Sequence, residues 1–367
     1  MKKLKEINMI RALMCIMVVM THSLTQYTLN IEMDLTGNSL YVQYFRLALL
    51  CATPIFILLS ETMIAKNYSG TVPKNFFLKR IKFILIPYVL IGLIVSYMRS
   101  DHTLASFREM IQMIIIEGEW YGFFIIVIFQ FYVLHWLVGR LLAKINPILP
   151  LALAFFVSLL HSYSYFHVGA YQEFTLSYYP LFFRTHILFW LFYFVAGFYV
   201  GLYYEKIMDF LINKVWMLEL ATVASFAFII NVYQKMNYVT IASERFDMIP
   251  YTISIFLLLL VAFRKYQFYN ETMMVISNFS FFIYLTHLII LPYFVHLTLD
   301  FGENILIFNT VLCFLTIASC MGGAFLFYQN RFTRYITGRI AYLDSSRPEK
   351  DYLKPDKSLQ KKISYTQ

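Results

Sequence analysis

Charged residues are scarce in this sequence. Of its 367 residues only 14% are Asp, Glu, Lys or Arg, and 60% are hydrophobic, whereas an average soluble domain has roughly 25% charged and 45–50% apolar residues. This balance excludes an ordinary soluble enzyme. The 37 Phe and 29 Tyr residues exclude a disordered chain as well, because disordered segments contain few aromatic side chains.

Residues suited to cross-links and metal sites are also few. The sequence has four cysteines, all inside apolar blocks and none in a C-x-x-C pair, so we interpret them as packing residues. Four histidines outside the candidate site described below lack the spacing of metal ligands, and no nucleotide-binding motif is present. We therefore expect neither a metal site nor a bound cofactor. The residues concerned are Cys15, Cys51, Cys313 and Cys320, and His135, His161, His186 and His296.

Long apolar blocks are abundant. About 20 apolar residues are needed to cross a hydrocarbon core about 30 Å thick, and the blocks bounded by charge predict an all-α, multi-pass membrane protein with ten spans. The predicted spans are Met9–Leu24, Leu40–Ile64, Phe83–Met98, Trp120–Leu137, Ile148–Tyr163, Ile187–Tyr204, Val215–Tyr233, Ile249–Phe263, Val275–Val295 and Ile305–Phe327.

Most of the 30 Lys and Arg residues lie on one side of these spans, with the two termini. Because cytoplasmic loops carry an excess of Lys and Arg, we expect both termini in the cytoplasm of a protein of the cell membrane. The net charge of +9 is then a sign of topology, so no nucleic-acid partner is expected. Residues 1–330 form the predicted membrane domain and 331–367 a flexible polar tail. Only five basic residues fall in loops on the other side: Arg99, Arg108, Arg184, Lys235 and Arg245.

Ionisable residues inside the membrane are expensive, so each one is a functional candidate. Arg11 and His22 are eleven residues apart in the first span, which places them on one helix face about 16 Å apart along the axis. We expect Arg11 near the cytoplasmic edge and His22 towards the outer half. A snorkelling Arg and a hydrogen-bonded core His are the structural alternative.

Two further spans carry polar residues at membrane depth. Ser280, Tyr284 and His287 share one face of the ninth span, where a polar seam between helices would give the same pattern. Arg46 lies among apolar residues of the second span and needs a partner. Glu117, Glu119 or an anionic group of a substrate are the candidates.

Two short motifs lie at the membrane edges. Lys79, Arg80 and Lys82 precede the third span, where they are either topology anchors or ligands for phosphate groups. Trp120 and Tyr121 follow Glu119 at the start of the fourth span and fit an interfacial aromatic belt.

Taken together, these motifs resemble the integral-membrane acyltransferase family 3, whose members move acyl groups onto extracytoplasmic polysaccharides and other acceptors. Longer stretches resemble one branch of it, the intercellular adhesion proteins of biofilm operons, which are associated with poly-β-1,6-N-acetylglucosamine as exporters or as O-succinyltransferases. Glu61 departs from the family, which often has Gly after Ser60. The resemblance spans most of the chain and rests on Arg11 with His22, Pro54–Ser60, Lys79-Arg80-x-Lys82 before Pro87-Tyr88, Trp120-Tyr121, and Ser280-x-x-x-Tyr284-Leu285-x-His287.

The resemblance implies that acyl-CoA, with succinyl-CoA as one candidate, is the donor substrate and a polysaccharide hydroxyl the acceptor. The phosphates of acyl-CoA would bind Arg11 and the basic cluster Lys79, Arg80 and Lys82. His22 would be the general base. Candidate acceptor or oxyanion residues are Arg46, Glu119, Trp120, Tyr121, Ser280, Tyr284 and His287.

Two other functions compete with acyl transfer. An exporter of the same polysaccharide would need an aqueous path lined by aromatic, acidic and amide side chains, and this chain has many aromatic residues. A scaffold that organises a membrane glycan synthase would tolerate replacement of His22, Arg11 and Arg80. The partners expected in every case are the lipid bilayer and the polysaccharide, with the synthase as a further candidate.

Overall fold

The structure is a computed structural model that describes residues 4–31, 37–236, 241–330, 333–340 and 343. Lys2, Lys3 and all of the predicted tail except residues 333–340 and 343 lie outside these ranges. Within the described ranges the chain is helical with no β-strand.

Ten helical segments are long and apolar enough to cross a membrane, and each coincides with one predicted span. The predicted all-α fold with ten spans is therefore confirmed. The segments are Lys5–Asn30, Leu40–Tyr68, Phe76–Arg99, Phe123–Leu142, Ile148–His167, Phe183–Leu202, Val215–Lys235, Met248–Tyr266, Glu271–Ile290 and Ile305–Gln329.

These segments and the short connecting helices make sixteen α-helices. They are α1 (Lys5–Asn30), α2 (Gly37–Leu49), α3 (Ala52–Tyr68), α4 (Phe76–Arg80), α5 (Ile86–Arg99), α6 (Leu104–Ile111), α7 (Phe123–Leu142), α8 (Ile148–His167), α9 (Gly169–Tyr178), α10 (Ile187–Leu202), α11 (Tyr204–Leu211), α12 (Val215–Lys235), α13 (Met248–Tyr266), α14 (Glu271–Ile290), α15 (Pro292–Val295) and α16 (Ile305–Gln329). Two π-helical turns, Ile81–Leu85 and Gln112–Glu117, and three 3₁₀ turns, Phe183–Thr185, His296–Phe301 and Thr333–Tyr335, complete the described structure.

Proline and glycine set several of these boundaries. The second span is interrupted between α2 and α3 because Pro54 has no N–H to donate to the preceding turn. Pro292 likewise follows the end of α14 at Ile290, five residues before the predicted end of the ninth span. Gly118, with a φ of +79°, ends the second π-turn, so α7 begins at Phe123 and Trp120 lies in the loop before it.

The centre of the bundle is formed by close packing of α3 against α10. Gly197 and Gly201 of α10 lie one turn apart and face the α3 backbone. A Cβ on Gly197 would lie 2.7 Å from the Leu58 carbonyl oxygen, and one on Gly201 would clash with the Thr62 carbonyl oxygen. This is the small-residue spacing that allows membrane helices to approach closely.

The loops gather on two faces of the bundle. On the face where α1 begins, which we call the N-terminal face, the Tyr204 hydroxyl donates to Glu6 at 2.9 Å. On the other, which we call the cavity face, the Tyr27 hydroxyl donates to the Gly302 carbonyl oxygen at 2.8 Å. Ten crossings return the chain to the N-terminal face, and its assignment to the cytoplasm stays a prediction from the Lys and Arg distribution.

Candidate functional site

A cavity of about 360 Å³ lies towards the cavity face. It is bounded by the second half of α1, the junction of α2 and α3, the start of α7, the end of α14 and three loops between spans. The structure thus brings together, from four separate segments of the chain, six residues that were predicted for one site: His22, Arg46, Glu119, Trp120, Tyr121 and Tyr284.

His22 is the histidine that lines this cavity. It packs beside His287, with ring centroids 5.1 Å apart. The buried His287 ring has Nδ1 2.7 Å from the Tyr284 carbonyl oxygen, so a neutral His287 carries its proton on Nδ1 and Nε2 is a buried acceptor without a partner. His22 itself has no hydrogen-bond partner among the described residues, which leaves its ring available to a ligand in the cavity.

Arg46 enters the same cavity from α2. Its guanidinium donates to Thr25 Oγ1 at 3.1 Å and to Gln43 Oε1 at 3.4 Å. Its buried Nε–H has no hydrogen-bond partner. In the part of the chain that the structure describes, Arg46 forms no ion pair with either predicted partner, Glu117 or Glu119. The remaining predicted partner for this cation is an anionic group of a substrate.

Two more arginines, Arg99 and Arg184, line the cavity and were not predicted as site residues. Arg184 Nε lies 2.8 Å from Oε1 of Glu244, and the Glu244 side chain is fully buried. The Trp190 indole donates to the Arg184 carbonyl oxygen at 2.7 Å, which fixes the loop. The sequence did contain a signal for both arginines. They are two of the five basic residues in the predicted loops on the side of the membrane opposite the termini.

The loop carrying Glu119, Trp120 and Tyr121 is built around two glycines. Gly118 adopts the left-handed conformation, and a Cβ on Gly122 would clash with the Trp120 ring. The Trp120 indole donates to the Tyr88 hydroxyl at 3.3 Å, and that hydroxyl donates to the Ile114 carbonyl oxygen at 3.1 Å. Tyr88 of the Pro87-Tyr88 motif therefore supports the cavity wall.

The hydroxyl groups predicted to stabilise an oxyanion are bonded to backbone. Tyr284 donates to the Tyr121 carbonyl oxygen at 2.9 Å, and Tyr121 donates to the Leu285 carbonyl oxygen at 3.0 Å. Burial raises the pKa of the Tyr121 phenol, so it stays a neutral donor. Ser280 donates to the Ser277 carbonyl oxygen at 2.9 Å and does not line the cavity. These bonds join the α7 loop to α14 and leave the cavity arginines as the available donors.

A second polar cluster lies in the half of the bundle nearer the N-terminal face. The Arg80 guanidinium stacks over the rings of Phe76 and Tyr132, 4.9 and 5.2 Å from their centroids. Arg11 is close enough to interact electrostatically with Arg80. Two like charges at this depth repel each other unless an anion lies between them.

The side chains of the predicted basic cluster, Lys79, Arg80 and Lys82, point to different sides of the helix that carries them. Whereas Arg80 contacts Tyr132 of α7, Lys82 places its Nζ 5.3 Å from the Tyr335 ring centroid. Residues two apart on a helix point in nearly opposite directions. Lys79 is exposed. Arg80 alone of the three is thus brought to Arg11, and binding of a donor by Lys79 and Lys82 stays a prediction.

Glu61, where the chain departs from the family pattern, is fully buried between α3, α7 and α10. One carboxylate oxygen lies 2.6 Å from Nδ1 of His135, which is also fully buried. The other oxygen and His135 Nε2 have no hydrogen-bond partner. The additional carboxylate is therefore half of an interior pair.

Comparison with known proteins agrees with these observations. An acyltransferase domain family, acyltransferase family 3, matches residues 4–328. A Staphylococcus aureus protein described as a probable poly-beta-1,6-N-acetyl-D-glucosamine export protein is 34% identical over 93% of this chain and 98% of its own length. A Staphylococcus epidermidis protein of the same description is 35% identical over 93% of this chain and 97% of its own length.

No solved structure matches the chain. The family match covers nine spans in full and the tenth except for its last residue, and the relatives align over nearly their whole length. Both results confirm the predicted resemblance and the assignment as a multi-pass membrane protein. The chain belongs to acyltransferase family 3.

Proposed function

We propose that this protein is a membrane acyltransferase that transfers an acyl group from acyl-CoA to hydroxyl groups of an exported cell-surface polysaccharide during biofilm formation. The polysaccharide named in the descriptions of the relatives, poly-β-1,6-N-acetylglucosamine, is the proposed acceptor. One observation carries the proposal: α1 presents Arg11 beside Arg80 in one half of the bundle and His22 to a cavity in the other half.

The arginine end suits the donor. Coenzyme A carries several phosphate charges, and the planar guanidinium groups of Arg11 and Arg80 match phosphate oxygens in bidentate geometry. A phosphate would also relieve the repulsion between the two cations. From there the acyl arm would run between the helices over the roughly 16 Å that separate Arg11 from His22 along the α1 axis.

The cavity end suits the chemistry. His22 accepts the proton of a sugar hydroxyl while the hydroxyl oxygen attacks the thioester carbonyl carbon. The C–S bond then breaks, an ester C–O bond remains, and the proton passes to the coenzyme A sulfur. A positioned general base contributes about 10²–10⁴-fold to such a rate. The free Nε–H of Arg46 would bind the carboxylate of a succinyl group, if succinyl-CoA is the donor.

Export is the alternative, and the descriptions of the relatives favour it. Acyl transfer and export make opposite predictions about the donor. A polymer that crosses the membrane without acyl-CoA supports export. Consumption of acyl-CoA that depends on added polymer supports the enzyme.

The test uses the full chain in proteoliposomes with acyl-CoA and poly-β-1,6-N-acetylglucosamine. Free coenzyme A and polymer esters are measured by thiol assay and mass spectrometry. We expect His22→Gln to reduce acceptor-dependent transfer by about 10²–10⁴-fold, while His296→Gln, an exposed histidine outside the cavity, has no effect. Unchanged ester formation by His22→Gln would exclude His22 as the base, and donor-independent passage of polymer would favour export.

A further inference from the structure

A second cavity, of about 500 Å³, lies on the outer surface of the third span towards the N-terminal face. Four aliphatic side chains and two polar ones line it: Leu78, Ile81, Ile86 and Leu90, with Lys82 and Tyr335. Its volume falls within the roughly 300–1,000 Å³ of small-ligand sites. It is distinct from the His22 cavity, because the two have no lining residue in common.

The apolar floor of this groove faces away from the bundle. Leu78 is 68% exposed, Ile81 41% and Ile86 38%. Leu78, Lys82, Ile86 and Leu90 recur every fourth residue, and the π-turn Ile81–Leu85 adds Ile81 to the same surface because the Ile86 N–H bonds back to the Ile81 carbonyl oxygen. Exposed aliphatic side chains on a membrane-spanning helix contact lipid chains.

Residues after α16 form the other wall. Gly338 approaches the third span so closely that a Cβ would lie 2.9 Å from the Phe83 carbonyl oxygen. This contact places Tyr335 beside Lys82. The groove is therefore closed on one side by a polar turn and open on the other to the bilayer.

Cations gather at the polar end of the groove. Lys82 Nζ lies 5.3 Å and the Arg334 guanidinium 5.6 Å from the centroid of the same Tyr335 ring. The Tyr335 hydroxyl interacts with both cations, and hydrogen bonding to Arg334 together with the charge of Lys82 lowers its pKa. No ion pair with a carboxylate is found for Lys82 or Arg334 across the described ranges. Two cations thus lie at one end of an apolar groove on the outer surface of a candidate membrane span.

We propose that this groove binds one anionic phospholipid, with its acyl chain along Leu78, Ile81, Ile86 and Leu90 and its phosphate between Lys82 and Arg334. Basic residues at a membrane surface attract anionic lipid headgroups, and long side chains of this kind keep their charge in the headgroup layer. In this position Lys82 serves a lipid, whereas Arg80 on the opposite side of the same helix serves the interior.

Native mass spectrometry of the full-length protein tests the site. Phosphatidylglycerol and phosphatidylcholine with identical chains are titrated in detergent, and the Kd of the first bound lipid is measured. We expect tighter binding of phosphatidylglycerol, and a loss of about fivefold in Lys82→Gln or Arg334→Gln, which is the factor equivalent to about 1 kcal/mol per basic residue. Lys144→Gln, an exposed lysine outside the groove, should bind both lipids as the wild type does.

A third variant tests the hydrocarbon channel separately. Leu90→Trp fills the groove but keeps both cations, so it should weaken both lipids. Equal binding of the two lipids by the wild type, or the same loss in Lys144→Gln as in Lys82→Gln, would overturn the proposal. Displacement of phosphatidylglycerol by inorganic phosphate or by coenzyme A would do so as well, because it would assign the cations to a soluble anion. None of these readouts depends on acyl transfer, so they fail or succeed independently of the proposed function.

Discussion

The two ends of α1 are polar in different ways. Near the N-terminal face, Arg11 interacts electrostatically with a like charge, Arg80, which stacks over two aromatic rings. At the cavity, His22 shares the lining with charges of both signs, Glu119 and three arginines, one of which pairs with Glu244. In the first arrangement two cations approach each other, and in the proposed reaction the second supplies the base. In that proposal one helix separates the binding of the donor charge from the chemistry.

The largest expected effect is a loss of stability, and it concerns the buried pair of Glu61 and His135 in the interior of the bundle. Removal of one partner of a buried pair costs about 3–5 kcal/mol. We therefore expect Glu61→Gln and His135→Gln each to lower the melting temperature of the detergent-solubilised protein strongly, as measured by intrinsic fluorescence.

The double variant Glu61→Met/His135→Leu is the matched control, because apolar replacement of a buried pair is often neutral or stabilising. Recovery of stability in this variant would show that the pair itself is not needed for folding. Single variants with wild-type melting temperatures would mean that the pair contributes nothing.

A smaller effect separates the donor end from the cavity end in the proposed reaction. Arg80→Gln removes a hydrogen-bonding cation, a change worth about 1.5–3 kcal/mol, and should raise the KM for acetyl-CoA and succinyl-CoA alike by about 10–100-fold. Arg46→Gln should raise the KM for succinyl-CoA only, because acetyl-CoA has no second carboxylate.

Both constants follow from initial rates of coenzyme A release. Arg140→Gln serves as the control, since Arg140 is exposed on the last turn of α7 and does not line the His22 cavity. If Arg80→Gln left both KM values unchanged, the Arg11–Arg80 pair would not be the phosphate site. Equal effects of Arg46→Gln on both donors would remove the assignment of a succinyl carboxylate to Arg46.

The smallest effect concerns the surface of the N-terminal face. Glu205 accepts from Lys66 at 2.8 Å and from Arg264 at 2.6 Å. Burial alone would raise the pKa of Glu205, but hydrogen bonds from these two cations and their charges lower it below its ordinary value of 4.5. A lowered pKa means that the contribution to stability is present above that value and is lost as pH falls through the lowered one.

Glu205 is 57% exposed, so solvent screening limits its contribution to at most about 1 kcal/mol. We expect Glu205→Gln to lower the melting temperature slightly at pH 7 and to match the wild type in acid. Asp209→Asn, an exposed acid on the same α11 helix, should show no such pH dependence. A difference between wild type and Glu205→Gln that grows in acid would contradict the assignment.

Hydropathy was sufficient to predict all ten spans, because crossing a membrane fixes the length and polarity of each helix. Helical spacing placed Arg11 and His22 on one face of α1, and the structure brings His287 to His22 from a distant span. Spacing within one helix could not reveal Arg99 or Arg184, since they reach the cavity from the end of α5 and from the 3₁₀ turn before α10. Nor could it show that the side chains of Arg80 and Lys82 point in different directions. The family resemblance grouped the two residues only because they are neighbours in sequence.

The continuity of α1 has a consequence for how this chain can vary. The helix runs from Lys5 to Asn30 without a proline or glycine, so backbone hydrogen bonds alone set the distance and rotation between Arg11 and His22. A substitution between them that keeps the helix preserves this distance and rotation. An insertion or deletion of one residue turns one end relative to the other by about 100° and shifts it by about 1.5 Å. The distance and rotation between Arg11 and His22 therefore depend on the length of the intervening segment and not on which helix-forming residues it contains.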